Sequence, residues 1–215
     1  MNPLDRIQSN FENFTKTEQE IAIYIINNPL ETARKDINTI AKSAQIHAIA
    51  DAYCQYIQQL KTAILPEELE QLAQKIEKSN RIKIFGFDRT YTSAMQLRLR
   101  LAKIGYDGEA VNNVALMVDF PEILNKNDLI IIFTIRDNHK QYAPIVTEAH
   151  SAGIPVICIT MTPNLKFKKH CDQYICLPSI SKEMDYSFLD NQAIFIVFIE
   201  MILGSLATLS RENHR

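Results

Sequence analysis

RIKIFGFDRTYTSAMQL, residues 81–97, runs from an Ile-rich apolar segment through Gly86 into a stretch whose apolar residues fall at helical spacing. A short apolar run without polar alternation is the pattern of a parallel strand covered on both faces. The pattern returns in DLIIIFT (128–134) and IPVICIT (154–160), and QYICL (173–177) supplies a shorter example. Helical stretches fit between these runs at 90–104, 114–124 and 138–152, the last ended by Gly153. Strands alternating with helices predict a doubly wound αβα sandwich around a parallel sheet, closed here by a long helix over 188–209.

Upstream the punctuation is helical. Thr15 and Glu18 in TKTE form a capping box ahead of Ile21, Ile25 and Ile26, and Pro29 ends that helix. In DINTIAKSAQIHAIADAYCQYIQQL, Asp36 caps a short helix reaching about Ser43, Gln45 and Ile46 make a tight turn, and a second helix follows. Short helix, turn, helix is the outline of a DNA-binding motif. Pro66 opens the charged amphipathic helix PEELEQLAQKIEKSN, after which strands begin. The expected division is a small all-α helix-turn-helix-like domain over 1–62 and an α/β domain over 66–212.

The totals narrow the function classes. With 23 basic and 25 acidic residues the net charge is -2, so bulk charge does not favour a polyanion or an acidic membrane surface. The N-terminus lacks a secretion-signal pattern, which predicts a cytoplasmic location. The most apolar stretch, AIFIVFIEMILGSLA (193–207), is interrupted by Glu200 and falls short of the roughly 20 residues that span a bilayer, so it reads as a buried helix. Cys54, Cys158, Cys171 and Cys176 form no CxxC pair and read as free thiols, with no metal site or cofactor implied.

Ligands of doubly wound sheets sit outside the carboxyl ends of the strands, where strand order reverses. The turns after Gly86 and Thr134 are therefore the first candidates. Each leads into a helix start, whose free N–H groups and dipole attract anions. They read as two halves of one pocket.

This layout resembles the RpiR/MurR-type transcription regulators, in which a helix-turn-helix domain precedes a sugar isomerase (SIS) domain. FTKTEQEIAIYIINNP (14–29) and INTIAKSAQIH (37–47) look like the first domain of that family. IKIFGFDRTYTSAMQLRLRLAKIGYDGEAV (82–111) looks like the first strand, helix and second strand of the SIS fold, and DLIIIFTIRDNHKQYAPIVTEAHSAGIPVICIT (128–160) looks like its central part. The resemblance implies a non-enzymatic regulator of sugar metabolism that senses a phosphorylated sugar and works as a dimer or tetramer. Family members hold phosphate with a small-residue loop after strand one and with SxSGxT after the central strand.

Here the loops depart from that pattern. The first reads GFDRTY, leaving Thr90 as the hydroxyl, and the second reads TIRDNH, where Thr134 matches the first Ser. A carboxylate about 4 Å from a phosphate charge costs on the order of 4 kcal/mol at a protein surface. Asp88 and Asp137 are, however, each beside an arginine. In one reading Arg89, Arg136, Asn138, His139 and Lys140 replace small hydroxyl residues and hold an anion together with Thr90 and Thr134. In the other, two Asp and two Arg pair and fill the cleft with salt bridges. Glu183 falls where SIS isomerases place a catalytic acid or base, but reads as a solvated loop carboxylate.

The DNA-binding half departs too. The recognition stretch HAIADAYCQYIQQL (47–60) has Ala52 where the family has Arg, and no Lys or Arg at all. Cations supply most non-specific DNA affinity, so weak binding is expected, with Lys42, Ser43, Gln45, His47 and Gln55 as its candidate contacts. The other reading of residues 1–62 is a helical bundle serving dimerisation, without DNA binding.

Overall fold

The computed structural model describes residues 2–136, 139–179 and 190–213. The chain divides into two compact units, Met1–Gln55 and Tyr56–Arg215. In the first, α1 (Pro3–Asn10) starts on a capping box from Asn2 and Asp5, and a 3-10 turn over Phe11–Asn13 follows. The predicted capping box forms at α2 (Lys16–Asn27): Glu18 N–H donates to Thr15 Oγ1, and Thr15 N–H donates to Glu18 Oε2 at 2.8 Å. α3 is one turn, Pro29–Thr32. Tyr24, Ile40 and Ala44 form the small core of this unit, with Ile21 and Ile25 against it.

α4 runs unbroken from Ile37 to Ala63. Asp36 caps its start as expected, accepting Thr39 N–H at 3.0 Å. The tight turn expected at Gln45 and Ile46 does not form, and the helix-turn-helix outline is replaced by one long helix. The reason lies in composition. Residues 37–63 contain neither Gly nor Pro, and Ala44, Ala48, Ala50 and Ala52 are the strongest helix formers, so nothing interrupts propagation.

In the second unit, α5 (Pro66–Lys78) begins with Pro at its first position and with Glu68 accepting Leu65 N–H at 3.0 Å. Then come β1 (Ile82–Phe85), α6 (Arg89–Ala102), β2 (Gly108–Val111), α7 (Val114–Ile123), β3 (Leu129–Thr134), α8 (His139–Ser151), β4 (Val156–Thr160), β5 (Gln173–Cys176) and α9 (Gln192–Asn213). All strand pairs are parallel, in the order β2-β1-β3-β4-β5. This is the doubly wound sandwich the apolar runs predict.

Strand alternation sends side chains to two cores. Phe85, Ile130, Ile132, Val156 and Cys158 join Tyr142, Val146 and Phe167 on one face. On the other, Phe133 meets Phe195 of α9 edge to face, with centroids 5.4 Å apart. At the amino edge of the sheet the buried Asp128 carboxylate accepts Arg81 Nε at 3.0 Å, Arg81 Nη2 at 2.6 Å and Asn125 N–H at 2.9 Å.

α9 is the buried helix expected, but it is longer than its apolar stretch suggested. Residues Gln192–Arg211 make a helix long and apolar enough to cross a membrane. Its Ile194, Phe195, Phe198, Ile199 and Ile202 are nevertheless fully buried, and the helix packs on α5 and α6 as part of the core. Among the described residues Cys54, Cys158, Cys171 and Cys176 form no disulfide.

Candidate functional site

The reversal of strand order falls between β1 and β3, which pair directly from Ile82↔Leu129 to Phe85↔Ile132. The turns leaving these strands therefore emerge side by side at the carboxyl edge. Neighbouring strands lie about 4.8 Å apart, well within the span of one phosphorylated ligand.

The first turn is shaped by close approach. A Cβ on Gly86 would come within 2.5 Å of Thr90 O and 2.7 Å of Tyr91 N, so only glycine lets α6 start this near β1. Asp88 takes φ 47 and ψ -118, a conformation that favours glycine and stores strain in an aspartate. Thr90 is buried, and its hydroxyl donates to Phe87 O at 2.8 Å and accepts Phe87 N–H at 2.9 Å. It braces the turn.

The second turn is braced the same way. Thr134 Oγ1 donates to Arg136 O at 2.8 Å, and Thr162 Oγ1, from the loop after β4, donates to Ile135 O at 2.8 Å. Arg136 and Lys140 are exposed. Asn138, Asp137 and the His139 side chain lie outside the described residues, as does Glu183; His139 itself opens α8.

Arg89 pairs with a residue the sequence reading does not consider. Its Nη1 donates to Asp190 Oδ2 at 3.2 Å, with the Arg89 side chain 65% exposed. The other oxygen of Asp190 accepts Gln192 N–H at 3.1 Å, capping the start of α9. Gln192 Nε2 donates to Arg89 O at 2.6 Å, and its Oε1 accepts the buried Ser93 hydroxyl at 2.6 Å. The described ion-pair partner of Arg89 thus lies just ahead of α9 rather than in either of the two turns. An Asp just ahead of an apolar periodic run is a helix-start signal, and LDNQAI (189–194) carries it. No sequence signal ties that cap to Arg89, a hundred positions away.

The DNA-contact candidates Lys42, Ser43, Gln45, His47 and Gln55 all lie on α4. The His47 ring sits edge-on to Tyr24 of α2 with centroids 4.9 Å apart, while Lys42, Gln45 and Gln55 are exposed. Gln55 lies thirteen residues beyond Lys42, about 20 Å along the axis, so these side chains form no compact recognition end.

Residues 75–203 match the model of the SIS domain family. The chain belongs to the SIS domain family. An uncharacterized protein of Methanothermobacter thermautotrophicus is 28% identical over 116 residues, 54% of this chain and 56% of that protein, so the chain spans about half the length of this curated relative. Among solved structures, the Vibrio vulnificus NanR protein complexed with ManNAc-6P matches at 15% identity with TM-score 0.70, covering 98% of this chain and 93% of that one. The sugar isomerase domain of the RpiR transcription factor from Sphaerobacter thermophilus matches at 14% identity and TM-score 0.68, over 77% and 90%. A Methanococcus jannaschii protein with an inferred 3-hexulose-6-phosphate isomerase function matches at 13% identity and TM-score 0.56, over 79% and 91%. The SIS fold is thus shared with both regulators and isomerases.

Proposed function

We propose that this SIS protein binds a phosphorylated sugar where the turns after β1 and β3 meet, and that it is a non-catalytic regulator of sugar metabolism acting as a homodimer or tetramer. The observation carrying the reading is the adjacency of those turns at the switch point, with Arg89 in one and Arg136 in the other. In this reading Arg89, Arg136, His139 and Lys140 supply donors and charge to the phosphate, and Asn138 supplies an amide. Thr90 and Thr134 act by fixing the turns, since their hydroxyls are spent on backbone. The ManNAc-6P complex of the NanR protein supports the ligand class. A cytoplasmic location fits such a ligand.

Regulation through DNA is the finer part of the proposal. Residues 1–62 carry six basic residues (Arg6, Lys16, Arg34, Lys35, Lys42, Lys61) and seven acidic ones (Asp5, Glu12, Glu18, Glu20, Glu31, Asp36, Asp51). Contact through Lys42, Ser43, Gln45, His47 and Gln55 is therefore weak. The continuity of α4 favours a second reading, an SIS protein without DNA binding that pairs with an intact relative.

Thermal unfolding across hexose, pentose and amino-sugar phosphates tests the ligand. A ligand at a hundred times its Kd stabilises by about 2.7 kcal/mol, so at least one compound raises Tm clearly. A flat panel overturns the sensor reading. Titration against the upstream region of its own gene at low salt separates the two regulatory readings: salt-dependent binding supports the first, and no response at micromolar protein supports the second.

A further inference from the structure

We infer that Asp190 is an internal competitor for the sugar-phosphate site, holding Arg89 in the place of the ligand's anion until the ligand displaces it. The inference rests on the sensor reading and adds a specificity residue to that site.

A carboxylate and a phosphate monoester recognise the same guanidinium fork through the same charge-assisted hydrogen bonds. Arg89 stands at the first position of α6, beside the switch point, and its cationic end meets Asp190 at 3.2 Å. Most of the Arg89 side chain remains open to solvent, so a phosphate reaches it without dismantling the core. The pair itself is weak, as exposed pairs are, which makes it replaceable rather than structural.

Asp190 also has a second attachment, which keeps it beside the site when the ligand takes Arg89. One carboxylate oxygen holds Arg89, and the other accepts the N–H of Gln192 at the start of α9. The Gln192 side chain in turn grips Arg89 O and the buried Ser93 hydroxyl. Three hydrogen bonds therefore converge on Gln192 from α6 and from Asp190, whereas the Arg89–Asp190 contact relies on opposite charge. A ligand that takes Arg89 breaks that ion pair and leaves the Gln192 bonds to α6 in place. The negative charge of Asp190 then faces the incoming phosphate, so affinity is lowered both by competition and by repulsion.

Asp190→Asn tests this without removing the helix cap, because asparagine still offers Oδ1 to Gln192 N–H. The probes are ManNAc-6P, arabinose 5-phosphate and inorganic phosphate, titrated by calorimetry into the full chain and its variants at fixed ionic strength. Asp190→Asn is expected to bind the best of these about five- to tenfold more tightly than the parent chain. Adding Arg89→Ala in the D190N background abolishes the gain. Equal or weaker binding by D190N, with binding by the parent chain retained, overturns the competitor role and leaves the sensor reading standing. No binding by either protein overturns both.

Discussion

At the scale of single residues, the turn after β1 carries two positions with opposite expectations. Gly86 faces the backbone of Thr90 and Tyr91, which belongs to a helix start and cannot yield like a flexible side chain. Gly86→Ala should lower unfolding stability by about 1–3 kcal/mol in urea titrations. Asp88, at φ 47, is strained where glycine is relaxed. Asp88→Gly should raise stability by about 1 kcal/mol, strain relief outweighing the added freedom of the unfolded chain. Asp128 makes a pH prediction. Hydrogen bonding from the Arg81 guanidinium holds its carboxyl below the ordinary value, so its stabilising effect is present above the unfolded-state pKa and is lost as pH falls through the lowered folded one. Asp128→Asn, which cannot ionise, should be much less stable than the parent chain at pH 7 and closer to it below about pH 4, as read from urea midpoints.

At the scale of elements, periodicity and punctuation were sufficient for β1, β3, β4, β5 and most helices, while β2 (Gly108–Val111) was expected only through the family resemblance. Apolar runs ending at Phe85, Thr134 and Thr160 became β1, β3 and β4, because a parallel strand buried on both faces tolerates no polar alternation. The turn at Gln45 failed for the complementary reason: the reading placed an interruption where no local residue enforces one. Ile46 is 67% exposed, so replacing it disturbs little packing. Ile46→Pro should cost about 3 kcal/mol of stability together with a loss of helical circular dichroism, because it breaks a continuous hydrogen-bond ladder. Unchanged stability and ellipticity in this variant would instead place a turn there.

At the scale of the whole molecule, α6 and α9 pack together and leave Leu99 and Ile196 exposed, while α7 exposes Leu116, Val118 and Ile123. The proposed dimer has apolar surface available on these helices. Sedimentation of the full chain at micromolar concentration should give about twice the 24.7 kDa chain mass, and a strictly monomeric species contradicts the assembly. Amino-acid order alone determined the layered α/β architecture, the caps at Thr15 and Asp36, and the two turns that leave β1 and β3 at the switch point. Those features depend on neighbours a few positions apart, or on the burial pattern of a single strand. Only the tertiary structure decided that Thr90 and Thr134 spend their hydroxyls on backbone, and that Arg89 meets Asp190. Such contacts are set by where separate elements converge in space, and no local spacing encodes a pairing between residues a hundred positions apart.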